Sequence, residues 1–135
     1  MVKKILIADD DLDNRTIAQT ILEAAGHQVS LATNGLEVLD MVSKEKPDLI
    51  LLDLSMPKLN GWETAKRLRQ MSHMTGVPVL AFTAHALAGE ALKAKVAGCD
   101  DYISKPCIPS EMAKKIEAWL DKPDSQRVHF GGERL

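Results

Sequence analysis

Apolar residues fall along this chain in short blocks that alternate between two rhythms. KILIA at residues 4–8 and LILL at 49–52 are continuous apolar runs stopped by acids. Runs of that length read as strands buried on both faces. VPVLAFT at 77–83 has the same character, HQVSLA at 27–32 is a shorter strand, and DYIS at 101–104 completes five. Between them the apolar residues recur at helical spacing. Ile17, Ala18, Ile21, Leu22 and Ala25 predict a helix over about 13–25, with Gly26 placed to end it. Asn34 and Glu37, three residues apart, resemble a capping box. The helix they open is expected to turn Leu36, Leu39 and Val42 inward and to stop before Pro47.

The later helices follow the same logic. Ala65 and Leu68 mark one over about 62–72. Leu87, Ala91, Ala94 and Ala97 give the helix at 86–97 an inner face of small side chains, so it buries little area and is expected to be loosely held. Pro109 suits the first turn of a last helix, to Leu120, with Met112, Ile116, Trp119 and Leu120 buried. Pro123 ends it. Residues 122–135 carry no periodicity and two adjacent glycines, and are expected to be a mobile tail rather than a second domain. Residues 1–121 are then one domain. Five strands alternating with five helices predict an α/β fold, a doubly wound parallel sheet with helices on both faces. Right-handed crossovers leave few topologies, and we favour the strand order 2-1-3-4-5.

Composition narrows the function. Net charge is −2, with no basic run, which argues against nucleic-acid binding by this chain alone. Aromatic residues are scarce, so the core must be aliphatic. Cys99 and Cys107 show neither metal-ligand spacing nor a disulfide framework, and a reducing, cytoplasmic setting is expected. Acids interrupt the first apolar run too early for a signal peptide, and no stretch approaches a membrane span.

The chemistry lies at the strand ends. In the favoured order, Asp9 and Asp10, Asp53, Thr83 and Lys105 all arrive at the C-terminal edge of the sheet, where open parallel sheets bind ligands. Three carboxylates there repel one another. Lys105 offsets one charge, and a divalent cation suited to hard oxygen donors, Mg2+, would offset two. A magnesium ion, a lysine and a hydroxyl around a carboxylate nucleophile constitute a phosphoryl-transfer site, with an aspartate able to become an acyl phosphate. Each of these residues alone has a plainer role. Asp11 reads as a charge favoured at a helix N-terminus. Thr83 alone could satisfy backbone, Lys105 could be solvated and Tyr102 half-buried. Trp62 and Trp119 read as packing residues, and His27, His73, His85 and His129 make no metal set.

Taken together, ILIADDD, LILLDLSMPKLNGWE, VPVLAFTAHA and GCDDYISKP resemble the receiver domain of bacterial two-component response regulators, of the stand-alone CheY type, over residues 3 to about 121. The resemblance implies the flavodoxin-like fold with its 2-1-3-4-5 order. It implies that Asp53 accepts a phosphoryl group from a histidine kinase or a histidine phosphotransfer protein. Asp10, Asp53 and the backbone carbonyl of Ser55 would bind Mg2+, with Asp9 completing the pocket through water. Thr83 and Lys105 would contact phosphoryl oxygens, and Tyr102 would be the switch aromatic. A cis Lys105-Pro106 bond is also implied. Phosphorylation would then change a protein-binding surface over 86–97, 101–104 and 109–120, for a downstream protein target. A phosphorelay intermediate is the alternative role.

Two departures from the family pattern stand out. Asn60 replaces a common Asp, read as a loop change of small consequence, and Ile108 is a poor N-cap before Pro109. Two other classes fit less well. An aspartyl-phosphate hydrolase of the haloacid dehalogenase type needs a second Asp two residues past the nucleophile, where this chain has Ser55. A flavodoxin-like flavin binder needs a Ser/Thr/Gly-rich loop after the first strand, where this chain has three acids. The chain is therefore expected to be a switch rather than a turnover enzyme, with no nucleic-acid or membrane partner of its own.

Overall fold

The computed structural model describes residues 2–54, 56, 58–74, 76–83, 98–105 and 108–121. Its strands are β1 (Lys4–Ala8), β2 (Gln28–Ala32), β3 (Leu49–Asp53), β4 (Val79–Thr83) and β5 (Asp101–Ser104). They form one parallel sheet in the order β2-β1-β3-β4-β5. The described helices are α1 (Leu12–Ala24), α2 (Gly35–Lys44), α3 (Gly61–Gln70) and α4 (Pro109–Asp121). The helix expected over 86–97 and the tail 122–135 lie outside the described residues.

Side chains alternate across each strand, so each strand feeds two cores. Leu6, Ala8, Ile50, Leu52, Val79 and Ala81 meet Val38 and Val42 of α2 and Ala65 and Leu68 of α3. Ile5, Ile7, Leu49, Leu51, Leu80 and Phe82 meet Ala18 and Leu22 of α1 and Met112, Ile116 and Leu120 of α4. That two-sided burial explains why the central strands read as unbroken apolar runs.

Some inward faces differ from expectation. Leu36 is exposed, and Val38 takes the inner position of α2. The cause is close approach of two helices. A Cβ on Gly35 would lie 2.0 Å from the Thr64 hydroxyl oxygen, so Gly35 must face α3. Val38 and Val42 share that face and Leu36 lies across the helix from it. In α1, Ile17 and Ala25 are exposed, leaving Ala18 and Leu22 as its buried residues. Trp119 is half-buried and donates to Asp101 at 2.9 Å as well as packing.

Helix ends carry identifiable stops. Asn34 caps α2 by accepting from the Glu37 amide at 3.0 Å, and Glu37 returns to Thr33, accepting from its amide at 2.7 Å and its hydroxyl at 2.9 Å. Those two donors, the amide first, hold the Glu37 carboxyl below the usual carboxylate range. Asn60 caps α3 through the Glu63 amide at 2.9 Å, so this residue has a structural task. Ile108 offers only its carbonyl, to the Glu111 and Met112 amides.

Candidate functional site

The C-terminal edge of the sheet gathers the acids. β1 ends at Ala8, and Asp9 and Asp10 follow directly; β3 ends at Asp53. Since β1 and β3 are neighbours, paired Ala8 to Leu52, these carboxylates face one crevice. Ligand oxygens of Asp9, Asp10 and Asp53 all lie within 4.8 Å of one another. Asp9 is fully buried, Asp53 nearly so, and Asp10 is exposed.

Lys105 enters from the end of β5. Its Nζ lies 2.9 Å from Asp9 Oδ2 and 3.5 Å from Asp53 Oδ1. It also stands 4.9 Å from the centroid of the Phe82 ring, which supports the charged head on an aromatic face. One lysine against three carboxylates leaves an excess of negative charge. Among the described residues Asp9 Oδ2 finds no hydrogen-bond partner, and it meets Lys105 as an ion pair. Clustered hard oxygens with that excess of negative charge fit a divalent cation such as Mg2+.

Backbone contacts fix the acids in place. The Asp9 amide donates to the Ala32 carbonyl at 3.1 Å, and Asp9 Oδ1 accepts from the Asp11 amide at 2.9 Å. Asp11 itself turns away from the cluster. Its carboxylate accepts from the Asp13 and Asn14 amides and caps α1, as a plain helix-terminus charge should. Beneath Asp53, Gly61 donates to the Leu54 carbonyl at 3.1 Å, and a Cβ there would come 2.4 Å from the Asp53 carbonyl oxygen. The start of α3 therefore presses directly on the strand end that carries Asp53.

The remaining expected residues divide. Thr83 ends β4, one residue beyond Phe82, the register partner of Asp53. Its side chain, Ser55, His85, Pro106 and Cys107 lie outside the described residues. Tyr102 is half-buried in β5. Lys115 of α4 donates to its carbonyl at 2.8 Å and stands 5.0 Å from its ring centroid. Sequence reasoning missed Arg15, whose Nη1 donates to the Asp9 carbonyl at 2.8 Å. A basic residue one turn into the helix that follows the acids was the available signal. It missed Gly61 too, although a glycine opening a helix just past Asp53 marks close backbone approach.

Outside the site, Arg69 joins α3 to the turn before β5. It donates to the Gly98 and Val77 carbonyls at 2.7 and 2.9 Å and pairs with buried Asp100 at 2.6 Å. His27 is buried and pairs with Glu117 of α4 at 2.5 Å. Among the described residues no helix is long and apolar enough to cross a membrane.

The sequence and the fold are both similar to those of known proteins. Residues 5–117 match the family model of the response regulator receiver domain. The polar-differentiation response regulator DivK of Brucella anthropi is 34% identical over 120 residues, which are 89% of this chain and 98% of that protein. The chemotaxis response regulator CheY4 of Vibrio cholerae superposes with a TM-score of 0.84 at 28% identity, covering 88% of this chain and 99% of that one. The receiver domain of a sensor histidine kinase from Pseudomonas aeruginosa, solved with a magnesium ion coordinated in its active site cleft, has a TM-score of 0.84 at 28% identity. That match covers 90% of this chain and 100% of the other.

Proposed function

The chain belongs to the response regulator receiver domain family, and on that premise we propose that it is a phosphorylation switch whose acceptor is Asp53. The observation that carries this reading is the Asp53 carboxylate at the end of β3, 3.5 Å from Lys105 and clustered with Asp9 and Asp10. The donor is a phosphohistidine on a histidine kinase or a histidine phosphotransfer protein. A carboxylate oxygen of Asp53 attacks phosphorus, the P–N bond breaks, and the imidazole nitrogen keeps the electron pair and takes a proton from solvent. The product on this chain is an acyl phosphate.

Asp10, Asp53 and the carbonyl of Ser55 would hold Mg2+, with Asp9 behind them. When bound, Mg2+ supplies charge neutralisation for the carboxylates and the phosphoryl oxygens. Lys105 supplies the second positive group, already poised between Asp9 and Asp53. Thr83, at the same sheet edge, would donate to a phosphoryl oxygen.

Output would follow from the added charge, roughly 1.5 to 2 units negative with three acceptor oxygens. Movement of Thr83 toward it frees space beside β5, and Tyr102 turns inward to fill it. The surface of β5 and α4 thereby changes for a protein target. Phosphorylation reweights states that the free chain already samples. The chain then acts as a switch rather than a turnover enzyme, and a reducing cytoplasm suits the buried free thiol of Cys99.

The test is phosphorylation by acetyl phosphate with Mg2+, followed by intact mass. The wild-type chain should gain one phosphoryl group and Asp53→Asn should not. An equal yield in that variant would overturn the reading.

A further inference from the structure

Asp9 is gripped at every polar atom. Ala32 holds its amide, Asp11 and Lys105 hold its two carboxylate oxygens, and Arg15 Nη1 holds its carbonyl at 2.8 Å. The last contact differs in what it controls. A peptide unit is planar, so the direction of the Asp9 carbonyl sets the plane that carries the Asp10 amide and Cα. Arg15 thus bears on where the Asp10 side chain begins. Its backbone reinforces this, because the Arg15 amide donates to the Asp11 carbonyl at 3.0 Å and closes the same turn.

Asp10 needs such a hold. It is the exposed acid of the cluster, and its carboxylate stands within 4.8 Å of two others. Like charges at about 4 Å repel by roughly 1 kcal/mol even in bulk water and by more beside a protein surface. A fixed backbone beneath an exposed side chain under that repulsion sets where it starts, and so how many of its rotamers keep the carboxylate in the cluster. Arg15 provides the fixed backbone and a nearby positive charge together. That charge also reaches the β2–α2 corner, where it contributes, after Thr33 and Lys58, to holding the Glu37 carboxyl low.

We propose that Arg15 is a positioning residue for the metal site: by holding the Asp9 carbonyl it keeps Asp10 inside the acidic cluster and so raises the affinity for Mg2+. The proposal rests on the receiver reading, which makes this cluster the magnesium pocket. Residues that orient metal ligands from behind are worth about 10- to 100-fold in metal affinity. A role confined to stabilising α1 would lower the melting temperature and leave the metal affinity alone.

The experiment is calorimetric titration of Mg2+ into the wild-type chain, Arg15→Ala and Arg15→Lys, with the unfolding temperature of each measured without metal. Arg15→Ala should bind Mg2+ about 10-fold or more weakly. Arg15→Lys, which retains charge and one donor group, should fall between. The Asp11 amide resonance of the metal-free chain should shift in Arg15→Ala, since that amide donates to Asp9. An unchanged Mg2+ dissociation constant in Arg15→Ala, whatever its melting temperature, would overturn the proposal. If Arg15→Ala does not fold, Arg15→Gln is titrated under the same criteria. Failure of the wild-type chain to bind Mg2+ would overturn the reading beneath the proposal as well, whereas a normal wild-type titration beside an unchanged variant would overturn the proposal alone.

Discussion

Lys105 Nζ lies 2.9 Å from Asp9 and 3.5 Å from Asp53, so one ammonium group ties the fully buried acid to the proposed acceptor. The shorter contact is to Asp9, which has no solvent to share its charge. Lys105 is therefore a counter-ion to a buried acid as well as the proposed phosphoryl ligand.

That dual role predicts how Lys105→Met behaves. Removing one partner of a buried pair costs about 3 to 5 kcal/mol, because the other charge is left uncompensated. The metal-free variant should melt well below the wild type. Mg2+ should then raise its melting temperature by more than it raises that of the wild type, since the cation takes over the missing neutralisation. Thermal melts with and without Mg2+ decide this, and equal increments would contradict it.

Asp10 and Asp11 are adjacent, yet they should fail in opposite ways. Asp11 caps α1 through two amides, and Asp10 lies in the carboxylate cluster. Asp11→Ala should lose about 1 kcal/mol of stability, the usual worth of such a cap, with little change in Mg2+ affinity. Asp10→Ala should lose Mg2+ affinity and little stability. Chemical denaturation and calorimetry on both variants separate the two roles, and equal losses in both assays would mean that the cluster is assigned wrongly.

Thr83→Ala tests the route from charge to surface. The variant should still accept a phosphoryl group at Asp53 and respond weakly beyond it. Amide NMR shifts over 98–121, with and without beryllofluoride as a phosphoryl mimic, provide the readout. Tyr102, with Lys115 on its ring and carbonyl, is where the wild-type response should be largest. A wild-type-like response in Thr83→Ala would break the coupling.

Burial pushes the Cys99 thiol up to about 12 from its ordinary 9.0, with Asp100 adding to the rise and Arg69 opposing it. Below the lower value both folded and unfolded chains keep the proton. Between the two, the unfolded chain releases it while the native chain does not, so unfolding gains and stability falls as pH rises. Urea midpoints at about pH 8 and pH 10 should therefore drop less in Cys99→Ala than in the wild type. Parallel drops would remove this contribution.

Most of the architecture was legible because two-sided burial writes itself into sequence. β1, β3 and β4 are unbroken apolar runs since each faces a core on both sides. The acids at their ends were legible for the same reason: a carboxylate after such a run has to sit at the sheet edge. Rotation of the helices was less legible. Leu36 and Ile17 fit a helical stripe in sequence, but the close contact of Gly35 with Thr64 and the packing of Ala18 and Leu22 set which stripe faces in. Contacts that position the site through backbone left the faintest trace. Arg15 acts on a carbonyl six residues away, and Gly61 acts by lacking a side chain, so neither carries the chemistry it supports. Asn60 was undervalued for a related reason, since capping reads the same from Asn as from Asp.

Among the three clustered carboxylates, Asp53 is the one proposed to take the phosphoryl group. The most direct measurement is borohydride reduction of the chain after acetyl phosphate treatment with Mg2+, followed by peptide mapping of the reduced residue. Reduction is expected at Asp53 and should be absent when either donor or Mg2+ is withheld. Reduction at Asp9 or Asp10 with Asp53 intact would contradict it.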